Sequence, residues 1–285
     1  MSEILSVKNL SKKYDLFELK NINLSIPRGV IVGFIGENGA GKTTTIKSIL
    51  NMINVDTGDI KVFGNDYKEK EKDIKEKIGV VLDNSFFSEQ LTPSDINKIM
   101  KFLYKEWDEK LFIQYLNDFK LPIEKMIKEY SSGMLMKLKI TVALSHHPEL
   151  LILDEPTSGL DPIARSEILD IFLDFIQNEN HSIFVSSHIT SDLETVADYI
   201  VFINKGEIIL SEEKDKLLDD YGIVRCTEDE FIKIEKDDYI KYRKNKFDYE
   251  LLIADRNNFK TKYDVKVIDK PTLDEIMLIY IKGVK

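Results

Sequence analysis

Two kinds of hydrophobic pattern divide this chain. Short unbroken apolar runs, VIVGFI (30–35), KIGVVL (77–82), LLILD (150–154) and SIFVSS (182–187), predict strands buried on both faces. Apolar residues at helical spacing predict helices over 42–53, 133–145, 162–177 and 190–197. Strands alternating with helices in this way predict a parallel sheet covered on both sides. The opening is different. Residues 4–15 and 17–30 alternate apolar with polar positions, as strands of a half-exposed antiparallel sheet do, with Tyr14 in the turn between them. TGDIKVFGND (57–66) predicts a further strand, and 93–127 predicts amphipathic helices with Trp107 and Phe112 in their core. YIVFIN and EIILS (199–211) complete the series as strands.

Beyond that point the pattern weakens. EEKDKLLDD (212–220) predicts a charged helical linker. Residues 221–285 predict a β, α, β, β, α, β order and a closing helix over 272–283 capped by Thr272, a small α+β appendage. All phosphate-binding motifs lie upstream, so a chain ending near Asp220 is expected to fold and bind nucleotide alone.

The chemistry centres on GENGAGKT (36–43), which stands between the first buried strand and a helix. Strand, glycine-rich turn and helix give a G-x-x-x-x-G-K-[ST] match its physical meaning. Gly36, Gly39 and Gly41 let the backbone curl so that successive amides face one concavity at a helix N-terminus, where phosphate is favoured. Lys42 reaches the β- and γ-phosphates, and the Thr43 hydroxyl suits Mg²⁺. LLILDEP (150–156) ends an apolar strand in two carboxylates, Asp154 for Mg²⁺ and Glu155 as acceptor of a proton from attacking water.

Composition narrows the setting. A net charge of −10 argues against a nucleic-acid partner. The single cysteine, Cys226, makes no internal disulfide, which suits a reducing compartment. No secretory signal and no apolar run of membrane-spanning length is visible, so any membrane role is expected to work through a partner. His146 and His147 end a helix and His181 starts a strand, where ordinary structural roles are expected.

Together the motifs resemble those of ABC ATPases, the nucleotide-binding subunits of ATP-binding-cassette transporters, over about residues 3–211. YSSGM (130–134) stands at the family's signature, SGLD (158–161) at its D-loop, and SSHIT (186–190) places His188 at its switch histidine. Tyr14 occupies the position of the aromatic residue that stacks on adenine. The run from 130 to 165 looks most like bacterial drug- and peptide-exporting systems.

The resemblance implies an α/β fold: a P-loop ABC ATPase core (1–211), an antiparallel β subdomain, and a helical signature subdomain at about 85–148. It implies ATP and Mg²⁺ as cofactors. The nucleotide would be held by Gly36, Glu37, Asn38, Gly39, Ala40, Gly41, Lys42, Thr43 and Thr44, and by Tyr14. Glu155 and His188 would be catalytic. Ser131, Gly133 and Asp161 would complete the site of a second ATPase subunit in a head-to-tail dimer. The implied partner is an integral membrane permease, on the inner face of the cell membrane.

Two positions depart from the family. The signature has Ser132 where its first glycine stands, and Asp83 stands where a glutamine usually contacts Mg²⁺, as in a subset that includes ATPases of phenol-soluble-modulin exporters. Asp83 is therefore a candidate metal ligand with Thr43 and Asp154. The alternatives to an exporter motor are a soluble non-transport ABC ATPase and a weakly hydrolysing regulatory subunit.

Overall fold

A computed structural model of the chain describes residues 2–82, 87–263 and 267–285. The expectation for Asp83 falls outside the described residues. The chain opens with β1 (Glu3–Lys13) and β2 (Glu18–Pro27), then β3 (Ile31–Ile35) and α1 (Lys42–Ile49). Helix α1 stops short of residue 53 because Asn51 takes a left-handed conformation, φ 53°. The segment read as one strand at 57–66 is a hairpin, β4 (Thr57–Val62) and β5 (Asn65–Asp66), turned by Phe63 and Gly64 at positive φ.

Next come α2 (Glu71–Glu76), β6 (Ile78–Val81), α3 (Pro93–Leu103), α4 (Glu109–Asp118) and α5 (Ser132–Leu144). A capping box between Thr92 and Asp95 starts α3, and Asp108 caps α4. These helices enclose their own core of Ile96, Phe112, Leu116, Leu138 and Val142. Trp107 belongs to it, its indole donating to Asn97 at 2.8 Å, as the amphipathic pattern predicted.

The second βα series is β7 (Leu150–Asp154), α6 (Pro162–Phe175), β8 (Ser182–Ser187), α7 (Thr190–Val196), β9 (Tyr199–Asn204) and β10 (Glu207–Glu213). The central sheet runs β10-β9-β3-β8-β7-β6, parallel except for β10 at the edge. Period-two alternation splits its side chains between two cores. Ile31 and Ile35 face α5, α6 and α7, whereas Val32 and Phe34 face α1 and the antiparallel sheet β2-β1-β4-β5.

The tail holds α8 (Lys214–Asp219), β11 (Gly222–Cys226), α9 (Glu228–Phe231), β12 (Lys241–Lys244), β13 (Tyr249–Ile253), α10 (Arg256–Lys262) and α11 (Leu273–Lys282). The strand expected at 265–270 is, among described residues, a single bridge from Asp269 to Ile223. The sheet β11-β13-β12 has a small core with Cys226 inside it, where burial raises the thiol to about 11.

The linker does not hang free. Leu217 is fully buried, and Ile223, Leu252, Leu273, Ile276 and Ile279 join the same core as Val196, Ile200 and Phe202. Glu194 on α7 accepts from the Leu273 amide at 2.7 Å, serving the first turn of α11. The expected independence of a truncated chain therefore meets a shared core. We expect a chain ending at Asp220 to aggregate. Ile276→Ala should lower unfolding stability by about 2–4 kcal/mol in one urea transition. Two transitions, with the larger unmoved by the substitution, would show that the tail folds apart from the rest.

Candidate functional site

Strand register assembles the site. Ile35 of β3 pairs with Ser187 of β8, and Ser186 pairs with Asp154 of β7. The residues that follow these strand ends, the 36–43 loop, His188 and Glu155, therefore emerge at one edge of the sheet, where α/β folds bind ligands. The loop lines a pocket of about 230 Å³ with Glu37, Asn38, Gly39, Gly41, Lys42, Thr43, Thr44, Asp154 and Glu155.

Glycine is required here for two reasons. A Cβ at Gly36 would lie 2.5 Å from the Ile203 carbonyl oxygen, and Gly41 has φ 116° where it caps α1. The turn between β9 and β10 braces the loop from below, the Gly206 amide donating to the Ala40 carbonyl at 2.9 Å. Ala40 is buried in that support and does not line the pocket.

Lys42 is buried, 6% exposed. Its ammonium donates to the Gly36 carbonyl at 2.6 Å and lies 3.1 Å from Glu155 Oε1, which accepts no hydrogen bond. The other Glu155 oxygen faces His188 Nδ1 at 2.6 Å and accepts from the His188 amide at 3.2 Å. Glu155 has φ 53°, an uncommon conformation for a non-glycine residue, held by its amide donating to Ser186 O and Oγ, each at 3.1 Å.

The two oxygens of Asp154 are divided. Oδ2 accepts from the Thr43 hydroxyl at 2.8 Å, and Oδ1 from the Ser186 hydroxyl at 2.5 Å. A hydroxyl and a carboxylate that line one pocket are hard oxygen donors of the kind that suit Mg²⁺.

Other expected residues stand elsewhere. Tyr14 is exposed and does not line the pocket; Phe17 lines it instead. Ser131 caps α5, its hydroxyl accepting from the Met134 amide at 3.2 Å. Gly133 is buried beside α6, where a Cβ would meet Ala164 Cβ at 3.0 Å. Asp161 caps α6 through the Ile163 and Ala164 amides, and those amides hold its carboxyl below the usual range. None of these three lines the pocket. His146 is buried against Tyr104, its Nε2 3.2 Å from the Ile78 carbonyl oxygen, and burial lowers its pKa, an ordinary structural role. His181 stacks on Phe175 at 4.3 Å, a structural role as expected.

Sequence reasoning missed Phe17 and Ser186. Phe17 opens the alternating run 17–30 and Ser186 lies within SSHIT, and neither local pattern marks a residue of the pocket.

The family model for ABC transporters matches residues 19–158. The bacitracin transport ATP-binding protein BcrA of Bacillus licheniformis is 37% identical, over 73% of this chain and 69% of its own. The lantibiotic transport ATP-binding protein SrtF of Streptococcus pyogenes is 37% identical, over 74% and 92%. A solved ATP-binding subunit of an ABC transporter aligns with TM-score 0.66 at 27% identity, over 75% of this chain and 91% of that one. A dimeric ATP-binding cassette bound to ADP and Pi shares the fold, with TM-score 0.65 at 22% identity, over 74% and 98%.

Ser186 gives the test specific to this geometry. In Ser186→Ala, Asp154 Oδ1 loses its partner and the Glu155 amide keeps only the Ser186 carbonyl, while the 36–43 loop amides are unchanged. Calorimetry should show ADP alone binding as in wild type and Mg²⁺-ADP binding about tenfold more weakly. Equal Mg²⁺ dependence would remove Ser186 from this role.

Proposed function

We propose a function from a plain premise: the chain belongs to the ABC transporter family as one of its ATP-binding subunits. It binds and hydrolyses ATP as the motor subunit of an exporter-type system with a separate membrane component. The observation that carries the reading is the convergence of Lys42, Thr43, Asp154, Glu155 and His188 on one sheet edge.

In our reading the Lys42 ammonium stands where phosphate charge will lie. Phosphate oxygens compete for it and for the loop amides, which frees Glu155 Oε1 from its ion pair. Glu155 then accepts a proton from water, oriented by the His188 contact on Oε2. Thr43 and Asp154 would hold Mg²⁺, which offsets phosphate charge when bound. Asp83 remains a proposed third contact. Tyr14 and Phe17 are the aromatic candidates for the adenine, and Phe17 is nearer the loop.

We further infer that Ser131, Gly133 and Asp161 act in a second subunit's site, since they stand apart from this one. A head-to-tail pair would let each signature helix close the other's pocket. The permease would dock in the apolar cleft between β6 and the helical subdomain. It is lined by Leu50, Met52, Tyr67, Val80, Leu82 and Tyr104, with a volume of about 390 Å³. Phe102 and Leu103 stand exposed on the adjoining α3. Among described residues no helix is long and apolar enough to cross a membrane, so the subunit would sit on the inner membrane face through that contact. Peptides or drugs are the proposed cargo class, after the bacitracin and lantibiotic transport for which BcrA and SrtF are named.

Glu155→Gln tests the catalytic assignment. Mg²⁺-ATP should still bind, and turnover should fall by about 10²–10⁴-fold. An ATP-held dimer should then persist on size-exclusion chromatography. Unchanged turnover would remove Glu155 as the base; only monomer with ATP would contradict the closed pair.

A further inference from the structure

Three helices start beside proposed functional residues. Ser131 caps α5, Asp161 caps α6, and α7 begins two residues after His188. Helix α6 touches both of the others. On one side, Ala164 lies against Gly133 of α5, so closely that a Cβ there would come to 3.0 Å. Glu167 of α6 forms an ion pair with Lys137 of α5. Helices α5 and α6 are thus joined by close packing and by a fully made ion pair.

The joint between α6 and α7 is made differently. Arg165 stands one turn into α6, where its amide donates to the Asp161 carbonyl at 3.0 Å. Asp192 stands in the first turn of α7 and is 5% exposed. Arg165 Nη1 lies 3.8 Å from Asp192 Oδ1, about 1 Å longer than a charge-assisted hydrogen bond. Arg165 Nε and Asp192 Oδ2 are both buried, and neither has a partner among the described residues. An unused donor therefore faces the same joint as an unused acceptor, and leaving either buried and unpaired is costly.

Helix stability does not explain the arginine. A cation near a helix N-terminus opposes the helix dipole, whereas Asp192 in the first turn of α7 is favoured by it. The joint also lies close to the chemistry. His188 is four residues before Asp192, its side chain is 41% exposed, and both its amide and its Nδ1 turn to Glu155. Its orientation therefore depends on where α7 is held.

We propose that Arg165 and Asp192 are positioning residues for hydrolysis. As water is attacked, α6 and α7 draw together and the pair closes into the two-bond geometry of a guanidinium on a carboxylate. Closure fixes His188 on Glu155, and through α6 it ties that contact to Asp161 and to the signature helix. The proposal rests on the catalytic reading of Glu155 and His188.

Steady-state ATP hydrolysis by the full chain tests it. Asp192→Asn keeps the side chain's shape and removes its charge. It should lower kcat about tenfold and leave KM for ATP unchanged. Arg165→Lys keeps the charge but loses the planar fork, and should lose as much. Both variants should unfold in urea as wild type does, because the 3.8 Å contact holds no hydrogen bond to lose. His188→Ala should itself lower kcat, and adding Asp192→Asn to it should cost nothing more, since the pair acts through His188. If His188→Ala leaves kcat unchanged, the catalytic reading fails and takes the proposal with it. If His188→Ala lowers kcat, but Asp192→Asn costs the same factor with or without His188, the proposal alone is overturned. Wild-type turnover in Arg165→Lys would overturn it as well. So would a raised KM at unchanged kcat, or a lowered urea midpoint, in Asp192→Asn, either of which marks a purely structural pair.

Discussion

A buried ammonium governs the nucleotide site. Lys42 is almost wholly removed from water, and its partners are the carbonyls of Gly36 and Glu37 and one oxygen of Glu155. A charge taken out of water is tolerated only when paired, and removing its partner is strongly destabilising. Glu155 thus holds two relations at once. It pairs with Lys42 through one oxygen and with His188 through the other, and in the proposed mechanism it acts on water once phosphate takes its place on Lys42. The same ion pair that compensates the buried ammonium would position the proposed base.

That pairing depends on the central sheet. The register of β3, β8 and β7 is fixed because each strand is buried on both faces, and a one-residue slip would exchange its two cores. Register then sets Ser186 beside Asp154 and brings His188 to Glu155. The strained backbone at Glu155 is held by two contacts from Ser186. Fold and chemistry share their constraints at this edge.

The loop, both carboxylates and His188 were legible in the sequence because each belongs to a short local pattern whose chemistry follows from residue type. Residues acting through tertiary placement were not. Ser186 works only because β8 lies beside β7, and Phe17 only because its turn folds over the loop. The seat of the tail was hidden for a related reason. Leu273, Ile276 and Ile279 read as one face of any amphipathic helix, and nothing local says that the face lies on α7 and β9. Gly133 illustrates the converse: a residue read for phosphate binding is also needed for the close approach of α5 to α6.

The central claim is that Lys42 exchanges a carboxylate partner for phosphate. Titrating Mg²⁺-ATP into Lys42→Ala by calorimetry tests it most directly, with thermal unfolding confirming a folded chain. The account predicts that binding is lost, because the loop keeps its amides but not its one buried cation. Affinity equal to wild type in a folded variant would contradict it and place the phosphates elsewhere.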